Sequence, residues 1–283
     1  MDPVDVELAR RLLADELPHL AELPLTSVAQ GWDNLVVRVG DELVLRLPVR
    51  EESAPLIRNE ARWLAEVVSP LRFATPVPLH VGEPTAYYPW PWTLTRWIEG
   101  TVVADVRLED RGRLVDDLAE ALLALHRPAP VDAPENPFRG VPVAQRDTAV
   151  RARIRAWHGD ADVLERVWDA ALAAPAWPGP PLWLHGDPHP LNLVADDDGL
   201  AGLIDFGDLT GGDPASDLVA AWCCFGAEDR ARFVARIDAS GRYDPYVWIR
   251  AAGWAASFAS AMLPGTPLEP VAHHIARQLA AER

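Results

Sequence analysis

The chain of 283 residues has no lysine, so all 26 of its basic residues are arginines. Cysteine is nearly absent too. The two present, Cys223 and Cys224, are chain neighbours, a spacing that rarely reaches disulfide geometry, and they read as buried thiols on a helix. No apolar run approaches the ~20 residues of a membrane span. The start, Met1-Asp2-Pro3-Val4-Asp5, is acidic where a secretory leader is basic and then apolar. The expectation is a soluble, cytoplasmic protein with no membrane partner. Positive charge is scarce: 26 bases face 42 acids, a net of −16. Such a field repels nucleic acid and draws in a cationic small molecule, although the same excess also serves solubility alone. Internal repeats and low-complexity segments are lacking as well.

What is present is enough apolar residue, 49% of the chain, to build either one large domain or two lobes. We read an α+β fold of two lobes with a cleft between them: a β-rich N-terminal lobe, residues 1–97, and a mostly helical C-terminal lobe, residues 98–283. Residues 1–22 have loose helical periodicity. Alternation then predicts strands over 27–30, 34–39 and 42–47, followed by a helix over 52–68. A Pro-rich stretch leads to the aromatic cluster at Trp90 and Trp92, which reads as core. Helices are predicted over 108–127, 143–158, 161–174, 227–237, 245–262 and 267–281, and a turn over 211–214.

The stretch that organises the chain is Leu184-His185-Gly186-Asp187-Pro188-His189-Pro190-Leu191-Asn192, followed by Leu203-Ile204-Asp205-Phe206-Gly207-Asp208. A hairpin over 193–204, turning at Asp198-Gly199, would bring an acid, an amide and a second acid to one end of a small sheet. Phosphoryl transfer needs that set: one carboxylate to orient and deprotonate an acceptor hydroxyl, and hard oxygen ligands to hold Mg²⁺ against nucleotide phosphates. Asp187 suits the first task, Asn192 and Asp205 the second.

His-Gly-Asp-x-x-x-x-Asn, then Ile-Asp-Phe-Gly-Asp, then Gly212-Asp213-Pro214-Ala215-Ser216-Asp217-Leu218, resembles the aminoglycoside phosphotransferase family, relatives of the protein kinases that act on small molecules. The resemblance implies a protein-kinase-like fold, Mg²⁺ as cofactor and ATP or GTP as phosphoryl donor. It places the hairpin tip at Gly31 and Asn34 over the nucleotide, and Arg96 to Ile98 along the base through main-chain groups. The family has a lysine where this chain has Arg46, reaching the phosphates and paired with a Glu, here Glu60. The exchange is not neutral, because a guanidinium is a planar fork and an ammonium a compact charge. It leaves two readings: a degraded site, or a position retuned in a chain that has replaced lysine everywhere. The resemblance gives Asp217 the bracing of the catalytic loop and His185 its hydrogen bonding. His189, Asp208 and Asp213 stay open as contacts to metal or acceptor.

The function implied is transfer of a γ-phosphate to a hydroxyl of a small molecule, an antibiotic of aminoglycoside or macrolide type. A kinase of a sugar, amino alcohol or nucleoside-like metabolite, or a nucleotide-binding pseudokinase, are the alternatives.

Overall fold

Asp5 opens the first helix by accepting the Leu8 N–H on its carboxylate at 2.9 Å. Helix α1 (Val6–Glu16) and the short α2 (Pro18–Ala21) replace the single helix expected over 1–22, because Pro18 cannot continue the hydrogen-bond ladder. The structure, a computed structural model, describes residues 3–31, 33–262 and 264–282. Trp32 of the hairpin tip, and Met1 and Asp2 of the acidic start, lie outside the described residues.

The chain divides into two compact units. The first comprises Met1–Ser69, Ala74–Glu99 and Asp205–Gly207; the second comprises Pro70–Phe73, Gly100–Ile204 and Asp208–Arg283.

In the first unit, β1 (Leu25–Gln30), β2 (Asn34–Val39), β3 (Leu43–Pro48), β4 (His80–Gly82) and β5 (Trp92–Arg96) form an antiparallel sheet in the order β1-β2-β3-β5-β4. Strand alternation turns Leu35, Val37, Val39, Leu45 and Leu47 to one face, where Leu8, Leu12 and Leu13 of α1 cover them together with Tyr88 and Trp92. The indole of Trp92 lies so close over Gly82 that a Cβ there would stand 1.8 Å from the ring, which fixes glycine at that position. Helix α3 (Ala54–Val67) buries Ile57, Glu60, Leu64 and Val67. An acid on that face requires a partner.

The second unit holds a small sheet of β6 (Thr101–Val102), β8 (Leu193–Ala195) and β9 (Leu200–Leu203), and a separate pair of β7 (Leu182–Leu184) with β10 (Thr210–Gly212). The β8–β9 turn runs over four residues and not two. The Asp196 carboxylate accepts the N–H groups of Asp198 and Gly199, so a side chain organises it. Thr210–Gly212 is a strand where a turn was expected to begin, paired with Leu182–Leu184. Around these lie α4 (Val115–Leu125), α5 (Asp147–Arg155), α6 (Ala161–Ala173), α7 (Ala220–Cys224), α8 (Ala227–Asp238), α9 (Val247–Ala261) and α10 (Glu269–Ala281). Helix α9 is central, packed on α5, α6 and α10. A Cβ on its Gly253 would fall 2.2 Å from that of Ala171, so glycine lets α6 and α9 approach. No described helix is long and apolar enough to cross a membrane.

Candidate active site

The stretch from His185 to Asn192 leaves β7 and is gripped at once. Asp217, fully buried in the 3₁₀ segment Pro214–Val219, accepts the N–H of His185 at 2.7 Å and of Gly186 at 2.9 Å, one on each carboxylate oxygen. The His185 ring accepts the Asp187 N–H on Nδ1 at 3.2 Å, which leaves Nε2–H to donate to the Ile204 carbonyl at 3.0 Å. Gly186 has φ +88°, and a Cβ there would lie 2.2 Å from the Asp208 carbonyl oxygen; only glycine fits. The loop is thus fixed before any functional side chain leaves it.

The Asp187 carboxylate is engaged on both oxygens. Arg139 Nη2 lies 3.1 Å from Oδ1 and His189 Nε2 lies 3.1 Å from Oδ2. The Asn192 amide donates to the Asp187 carbonyl at 3.0 Å, and its own backbone is tied to His189 and Ile204. Burial pushes the Asp187 carboxyl up, but the charges of His189 and Arg139 outweigh it and hold the group well below the usual carboxylate range. Asp187 is therefore ionised at neutral pH, with lone pairs left over to accept from a hydroxyl. With Nδ2 of Asn192 committed as a donor, its Oδ1 is the atom suited to a hard cation.

The second group of sequence-selected residues lies in the first unit. Arg46 on β3 puts Nη1 2.5 Å from Glu60 Oε2 on α3 and Nη2 2.9 Å from Asp205 Oδ1. A guanidinium has two ends, so one residue bridges both acids. Burial alone would lower the Arg46 pKa, but Glu60 and Asp205 reverse this and keep it charged; burial also pushes the Glu60 carboxyl up. Asp205 adopts φ +59°, the left-handed region that Asp tolerates better than most residues, and its side chain is half exposed at 53%. An exposed carboxylate is an oxygen donor of the type Mg²⁺ takes.

Gly31 donates its N–H to the Asn34 carbonyl at 2.9 Å, and the Asn34 side chain is buried with Oδ1 lacking a hydrogen-bond partner. Between them Asp33 is claimed by Arg50 and Ser53. Arg96 closes β5 and is exposed, Ile98 is partly buried, and Trp97 donates its N–H to the Glu42 carbonyl at 2.7 Å. The structure therefore gathers Asp187 with Asn192, and Arg46 with Glu60 and Asp205, while Gly31 and Asn34 meet at the β1–β2 tip and Arg96 and Ile98 lie at the end of β5.

Sequence reasoning missed Arg139, which sits in a Pro-rich loop without periodicity or motif, and whose partner is 48 residues away. The same arginine reaches Asp208 Oδ2 at 3.1 Å, while Asn136 donates to Asp208 Oδ1 at 2.8 Å. Asp213, left open from sequence, is a buried brace: Arg250 Nε donates to it at 2.7 Å and it accepts the Ala215 N–H.

A model of the phosphotransferase enzyme family matches residues 24–254, which takes in the loop from His185 to Asn192, Asp205 and Arg46. The chain belongs to that family. Membership places it among the small-molecule kinases. A structure of the GDP complex of aminoglycoside 2'-phosphotransferase-IIIa superposes with a TM-score of 0.75 at 16% identity, covering 99% of this chain and 100% of that one. Macrolide 2'-phosphotransferase type I superposes at 0.61 and 24% identity, with both chains covered in full (100%). Phosphotransferases of this fold share its mixed α+β architecture, an antiparallel sheet toward the N-terminus and helices toward the C-terminus. The uncharacterized protein YcbJ of Bacillus subtilis (strain 168) is 36% identical over 66 residues, a match that spans 23% of this chain and 22% of that protein.

Proposed function

We propose that this phosphotransferase moves the γ-phosphate of ATP or GTP to a hydroxyl of a small-molecule antibiotic of aminoglycoside or macrolide type. The observation that supports this reading best is the state of Asp187: an ionised carboxylate on a loop anchored through Asp217, beside an asparagine whose amide oxygen suits a cation. In this reading Asp187 is the general base. Little covalent work falls to it in a loose phosphoryl transition state; it orients the acceptor and takes its proton late. Asn192 and Asp205 are the residues that would hold Mg²⁺, which would supply positive charge to the phosphates. Arg46, kept in place by Glu60, meets the phosphates where relatives use lysine. Gly31 and Asn34 cover the nucleotide, and the backbone from Arg96 to Ile98 meets its base. Residues 1–97 serve as the nucleotide-binding lobe and 98–283 as the catalytic and acceptor-binding lobe.

The net charge of −16 supports a cationic acceptor. The names of the structural neighbours support an antibiotic over a central metabolite. The test is nucleoside diphosphate release with Mg²⁺, ATP and GTP run separately, across aminoglycosides, macrolides, amino alcohols and nucleosides. Turnover confined to aminoglycosides or macrolides supports the reading. Turnover confined to the other two classes replaces the acceptor, and nucleotide binding without turnover on any of the four removes the enzyme.

A further inference from the structure

We infer that Arg139 is a positioning residue for phosphoryl transfer, a cationic pin that sets the Asp187 carboxylate and ties it to Asp208. The inference rests on the reading of Asp187 as the base. Arg139 makes both contacts through one nitrogen: Nη2 lies 3.1 Å from Asp187 Oδ1 and 3.1 Å from Asp208 Oδ2. Two carboxylates converging on a single N–H₂ group repel each other unless the cation stays between them, so removing it changes where both acids point. The guanidinium stacks 4.6 Å from the Phe258 ring on α9, and its Nε is buried without a hydrogen-bond partner. What the guanidinium does satisfy is the pair of acids, both met by Nη2.

The loop that carries Arg139 is built to hold it still. The Asn136 side chain accepts the Phe138 N–H at 2.8 Å while donating to Asp208, so one residue ties both ends of the turn. Gly140, at φ +66°, accepts the Asp213 N–H on its carbonyl at 2.8 Å, and a Cβ on Gly212 would come 2.4 Å from that oxygen. The Arg139 loop and the 208–213 segment are therefore locked together at both ends, with the base fastened to the lock. His189 holds the second oxygen of Asp187, and with Arg139 it leaves the carboxylate one orientation.

The readout is hydrolysis of MgATP and MgGTP without acceptor, where water stands in for the hydroxyl, in wild type, Arg139→Ala, Arg139→Lys and Asp187→Asn. Arg139→Ala is expected to lower kcat about ten- to a hundredfold with nucleotide KM unchanged. Added guanidinium, below denaturing concentration, should return part of the loss, and Arg139→Lys, whose single ammonium can still sit between two acids, should keep more of the rate. A crystal structure of Arg139→Ala should show the Asp187 carboxylate rotated from its present direction. Unchanged kcat, or a loss that guanidinium leaves untouched in a variant whose Asp187 has not moved, overturns the inference. If Arg139→Ala fails to fold, Arg139→Met, which keeps an apolar stem against Phe258 without the charge, decides by the same two readouts, the fall in kcat at unchanged KM and the direction of the Asp187 carboxylate. Asp187→Asn separates the two claims: if it hydrolyses like wild type the base assignment fails, and if it collapses while the Arg139 variants do not, only the pin fails.

Discussion

Glu60 is a buried acid whose charge has to be answered inside the first unit. It is 1% exposed; among the described residues one of its oxygens has no hydrogen-bond partner, and Arg46 at 2.5 Å answers its charge. Arg46→Ala strands that carboxylate, and breaking a buried pair from one side costs about 3–5 kcal/mol. Urea denaturation should show a loss of that order, and adding Glu60→Gln in the same chain should recover part of it. Two independent, additive losses would mean that the pair is not coupled. The same geometry bears on the missing lysine. Arg46 uses one end of its fork on Glu60 and the other on Asp205, so replacement by lysine keeps the charge but gives up one of two fixed contacts.

At the scale of elements, the loop that carries Asp187 depends on backbone room as much as on side chains. Gly186→Ala would push a Cβ into the Asp208 carbonyl and force a left-handed residue that is no longer glycine. We expect a lower melting temperature and the loss of turnover together, since His185 and Gly186 can no longer both reach Asp217; a variant melting like wild type would show that the loop has slack. The strands of the first sheet were legible because Leu35, Val37 and Val39 alternate with polar or half-buried neighbours. The catalytic motif was legible because its spacing is local. Thr210–Gly212 was not: two glycines in three residues carry no strand signal, and the pairing with Leu182–Leu184 is supplied from 26 to 30 residues away. The helix expected over 108–127 opens with the 3₁₀ segment Leu108–Leu114, a tightening that periodicity does not reveal. Trp254 and Phe258 read equally as helix seam or pocket lining, and both prove buried, while Trp248 meets Trp222 and Phe233 edge-on. Arg139 shows the limit most plainly, since nothing in a Pro-rich loop announces a contact to a carboxylate far along the chain.

For the whole molecule, the charge is the property that sequence alone settles. With 42 acids against 26 arginines, a polycationic acceptor would be attracted before it is bound, and exposed charges are screened over about 8 Å at physiological salt. Raising the salt from low to high should therefore raise KM for a cationic acceptor several-fold and leave KM for a neutral one unchanged; equal effects on both would make the acidity a matter of solubility only. The fold is that of the phosphotransferase family across nearly the full chain, and the reaction proposed for it rests on Asp187. The most direct measurement is Mg²⁺-dependent, acceptor-stimulated nucleoside diphosphate release by Asp187→Asn beside wild type, with nucleotide affinity measured on the same samples. A rate lower by about 10²–10⁴ at unchanged nucleotide affinity is the predicted result. An Asp187→Asn protein that turns over at the wild-type rate would contradict it.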